Sequence, residues 1–310
     1  MNTDKRFILV HQGALGDFLM TWPVLASLRK ALPTSALFWA GSSARLPLLH
    51  PLDITYASPA LLRTVRLLHL GDVGSSGLVD ANDLIIWFVL REKPALIKHE
   101  NIFFLHGMDK GTCCPPWKMF ARGLTQHNIP FDPQWQTTFQ TMFPRQVRQG
   151  DKRILLFPGS GNPAKNWPLV QFLELADWLQ NQGWHPIMVL GPVEQETGLA
   201  LPETMERACP ETIHELIALL QQAVYVIGND SGPMHLAGYM GIRGLSIFGP
   251  TSPEQWGPLG MDVLSLRLAC SPCTRTARIV CPDPVCIHNI TLDQVIARIR
   301  PALARLFQAP

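Results

Sequence analysis

Residues 224–238 read Val224-Tyr225-Val226-Ile227-Gly228-Asn229-Asp230-Ser231-Gly232-Pro233-Met234-His235-Leu236-Ala237-Gly238, and this stretch decides the fold. Val224 to Ile227 are expected to form a short strand. A small polar turn follows, and a helix then opens with unpaired N–H groups facing that turn. Pro233, early in the helix, removes no internal hydrogen bond. A strand, a tight turn and a helix N-terminus in this order make a prepared anion site at the carboxyl edge of an open α/β sheet. His235 lies one position further in, where packing against the sheet and contact with a ligand remain equal alternatives.

The same rhythm extends outward in both directions. Short apolar runs alternate with longer segments of helical period, the pattern of parallel α/β architecture. Strands are expected at Phe7 to Val10, Ala36 to Ala40, Val65 to Leu70, Leu84 to Leu90 and Ile102 to Leu105 in the first half. In the second half they are expected at Ile154 to Phe157, Ile187 to Leu190, Val224 to Ile227 and Leu245 to Phe248. Asp17 to Met20 read as a bend before a helix capped by Thr21, with Pro23 in its first turn. A helix over Pro168 to Gln182 stops at Gly183. Thr291-x-x-Gln294 is a capping box that opens a last helix, and Pro301 should kink it. Around Pro144 to Asp151 the period is lost, which places a domain boundary there and predicts domains 1–147 and 148–310.

A chain of 310 residues exceeds what one core usually serves. Its 47% hydrophobic and 16% charged content describes a globular protein and excludes a disordered one. A net charge of +2 argues against a nucleic-acid partner. Phe7 to Val10 is too short for a signal-peptide core, and Leu84 to Leu90 is a third of a membrane span, so a cytoplasmic location is expected. Seven cysteines, an odd number, then read as thiols.

Two further turns follow predicted strands. Gly13-Ala14-Leu15-Gly16-Asp17 lacks both the dinucleotide G-x-G-x-x-G and the triphosphate G-K-[ST], which undercuts a dehydrogenase. It presents one carboxylate at the mouth of a sheet; a helix-entry acid favoured by the dipole is the equal alternative for Asp17. Pro158-Gly159-Ser160-Gly161-Asn162-Pro163-Ala164-Lys165-Asn166-Trp167-Pro168 offers backbone and hydroxyl donors, and Lys165 adds a point charge that suits a phosphate, with a surface lysine beside a helix start the more ordinary reading.

These residues resemble glycosyltransferase family 9, the heptosyltransferases, along nearly the whole chain. The resemblance is carried by Gly16-Asp17 with Thr21 and Pro23, by Lys165-x-Trp167-Pro168, and by Gly191-Pro192-x-Glu194. It is carried further by Asp230 to Ala237 and by Phe248-Gly249-Pro250-Thr251. It implies a GT-B fold: two Rossmann-like domains whose parallel sheets face across a cleft, with a C-terminal helix. Domain 1–147 would bind the acceptor and domain 148–310 the nucleotide sugar. The implied reaction moves heptose from ADP-heptose to a lipopolysaccharide core or related glycan, by a single inverting displacement without a metal. No cofactor is implied beyond the donor itself.

Asp17 corresponds to the family's general base and Lys165 to the lysine that neutralises the donor phosphates. Glu194 falls at an acid that contacts the nucleoside. Asp230 matches an acid near the donor sugar, and Ser231, Gly232, Pro233, Met234 and His235 match the helix start that holds the diphosphate. Fixed donors there can stabilise a leaving nucleoside diphosphate. Asp17 would reach the acceptor oxygen once the domains close.

His11 departs from the basic residue of many relatives. Arg45, Arg63, Arg66 and Arg91 are candidates to hold an anionic acceptor, glycan or lipid-linked, with a solvated surface role the more ordinary reading for any one of them. Arg298, Arg300 and Arg305 on the last helix suggest peripheral contact with the inner face of the inner membrane. Cys270-x2-Cys273-x7-Cys281-x4-Cys286 could hold a structural zinc or iron, with free thiols the more ordinary reading. A nucleotide-sugar epimerase and a non-catalytic nucleotide-sugar binder of the same fold are the competing functions; intact Asp17 and Lys165 speak against the second.

Overall fold

The computed structural model describes residues 5–70, 79–80, 82–90, 99–109, 111–196, 198–273, 279 and 281–308. The chain divides into two compact units, Met1–Thr138 and Phe139–Pro310, parted within the helix Trp135–Met142.

In the first unit, β1 (Arg6–His11), β2 (Ala36–Gly41), β3 (Ile54–Tyr56), β4 (Asp83–Val89) and β5 (Ile102–His106) form one parallel sheet ordered β3-β2-β1-β4-β5. Arg6 faces Ala36 on one side and Asp83 on the other, and its Nε donates to Asp83 Oδ1 at 2.7 Å. Ile8, Val10, Ala40, Ile85 and Trp87 are buried in its core with Val65 and Leu68.

The second unit contains β6 (Arg153–Phe157), β7 (His185–Val189), β8 (Arg207–Ala208), β9 (Tyr225–Asn229), β10 (Gly244–Phe248) and β11 (Asp262–Ser265). They are parallel throughout, in the order β11-β10-β9-β6-β7-β8. Counted from its own first strand, this is the doubly wound order 3-2-1-4-5-6, whose winding reverses between β6 and β9. The corresponding reversal in the first unit lies between β1 and β4. Loops leaving the carboxyl ends of these strands are where such sheets bind ligands.

Ile154, Leu156, Ile227 and Ile247 pack with Phe172, Leu175 and Leu179 of the helix Leu169–Asn181. Val295, Ile299 and Leu303 of the last helix, Leu292–Gln308, complete that core. The last helix opens as its sequence demands: Gln294 N–H donates to Thr291 Oγ1 at 3.3 Å and Thr291 N–H to Gln294 Oε1 at 3.0 Å. Gly183 stands at φ +79° just past Leu169–Asn181, the left-handed stop its position called for.

Three local expectations are corrected. Val65 to His69 belong to the helix Pro59–His69 and Leu70 caps it, because Ser58 Oγ accepts from Leu61 N–H and Val65 and Leu68 share one buried face. Asp17 to Leu19 are helical, within Leu15–Leu19. Thr21 precedes the helix Trp22–Ala31, but its hydroxyl donates backward to Phe18 O at 2.7 Å instead of capping a forward N–H. Among the described residues no helix is long and apolar enough to cross a membrane.

Truncation of Ile299 to alanine should open a cavity in the second core and cost about 2–5 kcal/mol in urea unfolding, whereas exposed Arg298→Ala should stay within about 0.5 kcal/mol. Equal effects of the two would mean that the last helix is not docked as described.

Candidate functional site

The second unit gathers its polar side chains at the winding reversal. The loop leaving β6 runs from Pro158 to Trp167. Asn162 Oδ1 accepts from Ala164 N–H at 3.0 Å, and Pro163 starts the short turn Pro163–Lys165 that aims Lys165. Lys165 Nζ donates to Asp230 Oδ2 and to Asp230 O, each at 2.9 Å. Thr251 Oγ1, from the turn after β10, donates to the same Oδ2 at 2.7 Å. The Lys165 and Asp230 side chains are only 18% and 8% exposed, so an ion pair is held largely out of water. Thr251 closes the run Phe248-Gly249-Pro250-Thr251, yet its contact with Asp230 spans 21 residues of chain and no local pattern displays it.

Ser231 stands at the N-cap of the helix Gly232–Tyr239 in extended geometry but makes no capping hydrogen bond, and its hydroxyl is buried without a partner. The first N–H groups of that helix are thus not consumed by their own cap, which leaves an anion-seeking terminus beside the Lys165–Asp230 pair. Met234 and His235 are both buried, and Met234 Sδ packs against Gly228. His235 Nε2 lies 4.0 Å from Asp230 Oδ1. Burial, aided by Lys165, lowers the His235 pKa to about 4 against the opposing pull of Asp230, so the ring is neutral near pH 7.

Glu194, in the short helix Pro192–Glu196, accepts from Gly191 N–H through Oε2 at 2.9 Å. Its other oxygen lies over Gly159, where an added Cβ would stand only 1.8 Å away. The Glu194 carboxylate therefore joins the turn after β7 to the Lys165 loop, and Gly159 is required by that approach.

In the first unit, Asp17 occupies the first turn of the helix Leu15–Leu19 at the carboxyl end of β1 and is half-buried. A Cβ on Gly13 would meet His11 Cε1 at 2.6 Å and Asp17 Cβ at 2.7 Å, so both side chains crowd one glycine. His11 Nδ1 accepts from Gly13 N–H at 3.2 Å, which leaves the ring proton on Nε2. Burial first, and Arg45 second, lower the His11 pKa to about 4, so this position carries no charge at neutral pH. Arg45 has a buried Nε with no hydrogen-bond partner. Arg63 and Arg66 are exposed on the helix Pro59–His69, and Arg91 lies outside the described residues.

All seven cysteines are free thiols. Among the described residues no group of three or more His, Cys, Asp or Glu side chains is placed to hold a metal ion. Cys270 and Cys281 are exposed, while burial raises the pKa of Cys273 and Cys286 and keeps them protonated. Ser271 Oγ donates to Gly249 O at 2.6 Å and Cys273 N–H to Pro250 O at 2.7 Å, so this segment braces the turn that carries Thr251.

Two parallel doubly wound units, one carrying the Lys165–Asp230 pair and the other Asp17 at the carboxyl end of β1, define a GT-B α/β protein. The chain belongs to glycosyltransferase family 9 (heptosyltransferase), whose model matches residues 122–283. It is 31% identical over 153 residues to lipooligosaccharide heptosyltransferase 2 of Haemophilus influenzae, covering 45% of this chain and 44% of that protein. The chain spans about half the length of the first such curated relatives, 44% and 56%. Among solved structures it is similar to a glycosyltransferase family 9 protein of Veillonella parvula, with TM-score 0.69, 20% identity, and coverage of 100% of this chain and 99% of that one. It is also similar to the Escherichia coli heptosyltransferase WaaC with ADP, with TM-score 0.65, 17% identity, and coverage of 96% and 99%.

The two neutral histidines have a consequence in acid. An unfolded chain protonates them near their ordinary value of 6.5, but the folded chain only near 4. The stability they contribute is complete above pH 6.5 and is lost as the pH falls to about 4. Thermal unfolding temperature should fall across that window, and His235→Gln should flatten the fall; an unchanged slope would contradict a buried neutral imidazole.

Proposed function

We propose that this chain is an inverting glycosyltransferase that moves heptose from ADP-heptose to a lipopolysaccharide core or related glycan acceptor, without a metal at the diphosphate. The observation that carries the proposal is the convergence of Lys165, Asp230 and the uncapped helix start at Ser231 on the winding reversal of the second sheet. The family, and the similarity to a heptosyltransferase described with ADP and with ADP-2-deoxy-2-fluoro heptose, support this choice of donor.

The division of labour follows from the chemistry of the groups. As the bond from the anomeric carbon to phosphate breaks, negative charge grows on the departing ADP. Lys165 and the N–H groups at the start of Gly232–Tyr239 stabilise that charge in a site with little water. Lys165 rests on Asp230, whose carboxylate also accepts from Thr251, and turns part of its charge to the phosphates when they arrive. Glu194 is positioned between two loops to accept ribose hydroxyls. Asp17 takes the proton of the acceptor hydroxyl as it attacks from the face opposite the leaving group. Arg45, with its unsatisfied Nε, offers a contact for an acidic acceptor, and the last helix with Arg298, Arg300 and Arg305 a surface for anionic lipid.

Titration calorimetry without divalent metal should show ADP bound in preference to UDP and GDP. Preference for another base would keep the site and change the donor. Asp17→Ala should abolish transfer while donor affinity stays within about twofold; near-wild-type transfer would remove Asp17 as the base. Lys165→Ala should weaken ADP about tenfold or more, as loss of a charged hydrogen-bond donor does. Gly159→Ala should displace Glu194 and weaken adenosine as well as ADP, and unchanged adenosine affinity would end the nucleoside role of Glu194.

A further inference from the structure

Asn229 is the last residue of β9 and is 0% exposed. The register of β6 and β9 ends one step earlier, with Phe157 opposite Gly228. Beyond that pair the two backbones diverge, and the Asn229 side chain takes over the ladder. Its Nδ2 donates to Pro158 O at 2.7 Å, and its Oδ1 accepts from Trp167 N–H at 2.9 Å. Pro158 and Trp167 are the two ends of the loop that carries Ser160 and Lys165. One buried amide therefore closes the loop across its base and fixes it to the strand that supplies Asp230.

The surroundings make this closure exacting. Trp167 is itself buried, and its Nε1–H donates to Ile290 O at 2.7 Å, so the far end of the loop has little freedom to move toward a substitute partner. Inside the loop, Ser160 Oγ donates to Asn166 Oδ1 at 2.6 Å. An amide is the one short side chain that can donate at one end and accept at the other with a planar geometry like that of the backbone. Aspartate has the same shape but cannot donate, and would set a carboxylate against the Pro158 carbonyl.

We infer that Asn229 is a positioning residue for the diphosphate: by clamping both ends of the Pro158–Trp167 loop it sets the place from which Lys165 meets the phosphates. It touches neither donor nor acceptor and acts through Lys165. The inference rests on the donor-binding reading above and deepens it.

The test is calorimetry with ADP and adenosine on wild type, Asn229→Asp, Lys165→Ala and the double variant, with circular dichroism to check folding. Asn229→Asp is expected to weaken ADP about tenfold to a hundredfold, the cost of one unsatisfied buried hydrogen-bonding group. Adenosine affinity should stay within about twofold, and in the Lys165→Ala background the same substitution should cost ADP no more than about twofold, because coupled residues are not additive. Equal losses for adenosine and ADP, or additive losses in the double variant, overturn positioning in favour of a general structural role. Should Asn229→Asp not fold, hydrogen exchange on wild type decides: the Trp167 amide is expected to exchange as slowly as those of β9, and rapid exchange overturns the clamp. If wild type binds no nucleoside diphosphate, the donor reading fails and the inference with it; if wild type binds ADP and Asn229→Asp binds it equally well, only the inference fails.

Discussion

The hydrogen-bonded ion pair between Lys165 and Asp230 is the interaction on which the second unit's site depends. Removing two charges from water is unfavourable, and their attraction offsets that cost only when the remaining lone pairs and protons are satisfied. Here Thr251 and the Asp230 carbonyl provide those partners. The result draws three loops, leaving β6, β9 and β10, onto one carboxylate. A pair built this way adds little to net stability, but it holds an ammonium in place in advance of any ligand. Preorganised charge of that kind assists a reaction in which charge develops on a leaving group.

The scaffold explains why the pair can form. Strands buried on both faces leave no room for polar groups along their length, so chemistry is confined to their ends. In a doubly wound sheet the loops diverge at the winding reversal and open a crevice there. The β6 and β9 loops flank that reversal in the second unit, and Asp17 follows β1 at the reversal in the first. Gly159 permits Glu194 to reach across the same edge. The neutral state of His235 keeps a second positive charge from competing with Lys165 for Asp230.

Much of this was legible in the residues. The apolar run Leu84 to Leu90, too short for a buried helix of ordinary length, reads as a buried parallel strand, and the turn at Asp230 announces a helix N-terminus. Val65 to Leu70 misled because a short apolar run has no period of its own; Ser58 and Pro59, several residues upstream, decide that it is helical. Ile54–Tyr56 and Arg207–Ala208 are too short to show any alternation. Lys165 and Asp230 were recognisable one by one, but their pairing spans 65 residues. Thr251 and Asn229 were hidden for the same reason: their meaning lies in which strands are neighbours. Neutral His11 shows the reverse limit, since its charge state is set by burial and by Arg45.

The most direct measurement of the central claim is a crystal structure of the protein soaked with ADP. The diphosphate is expected at the start of Gly232–Tyr239, with Lys165 within hydrogen-bond distance of a phosphate oxygen and the ribose beside Glu194. ADP seated elsewhere, with the Lys165–Asp230 pair undisturbed and the helix start untouched, would contradict it.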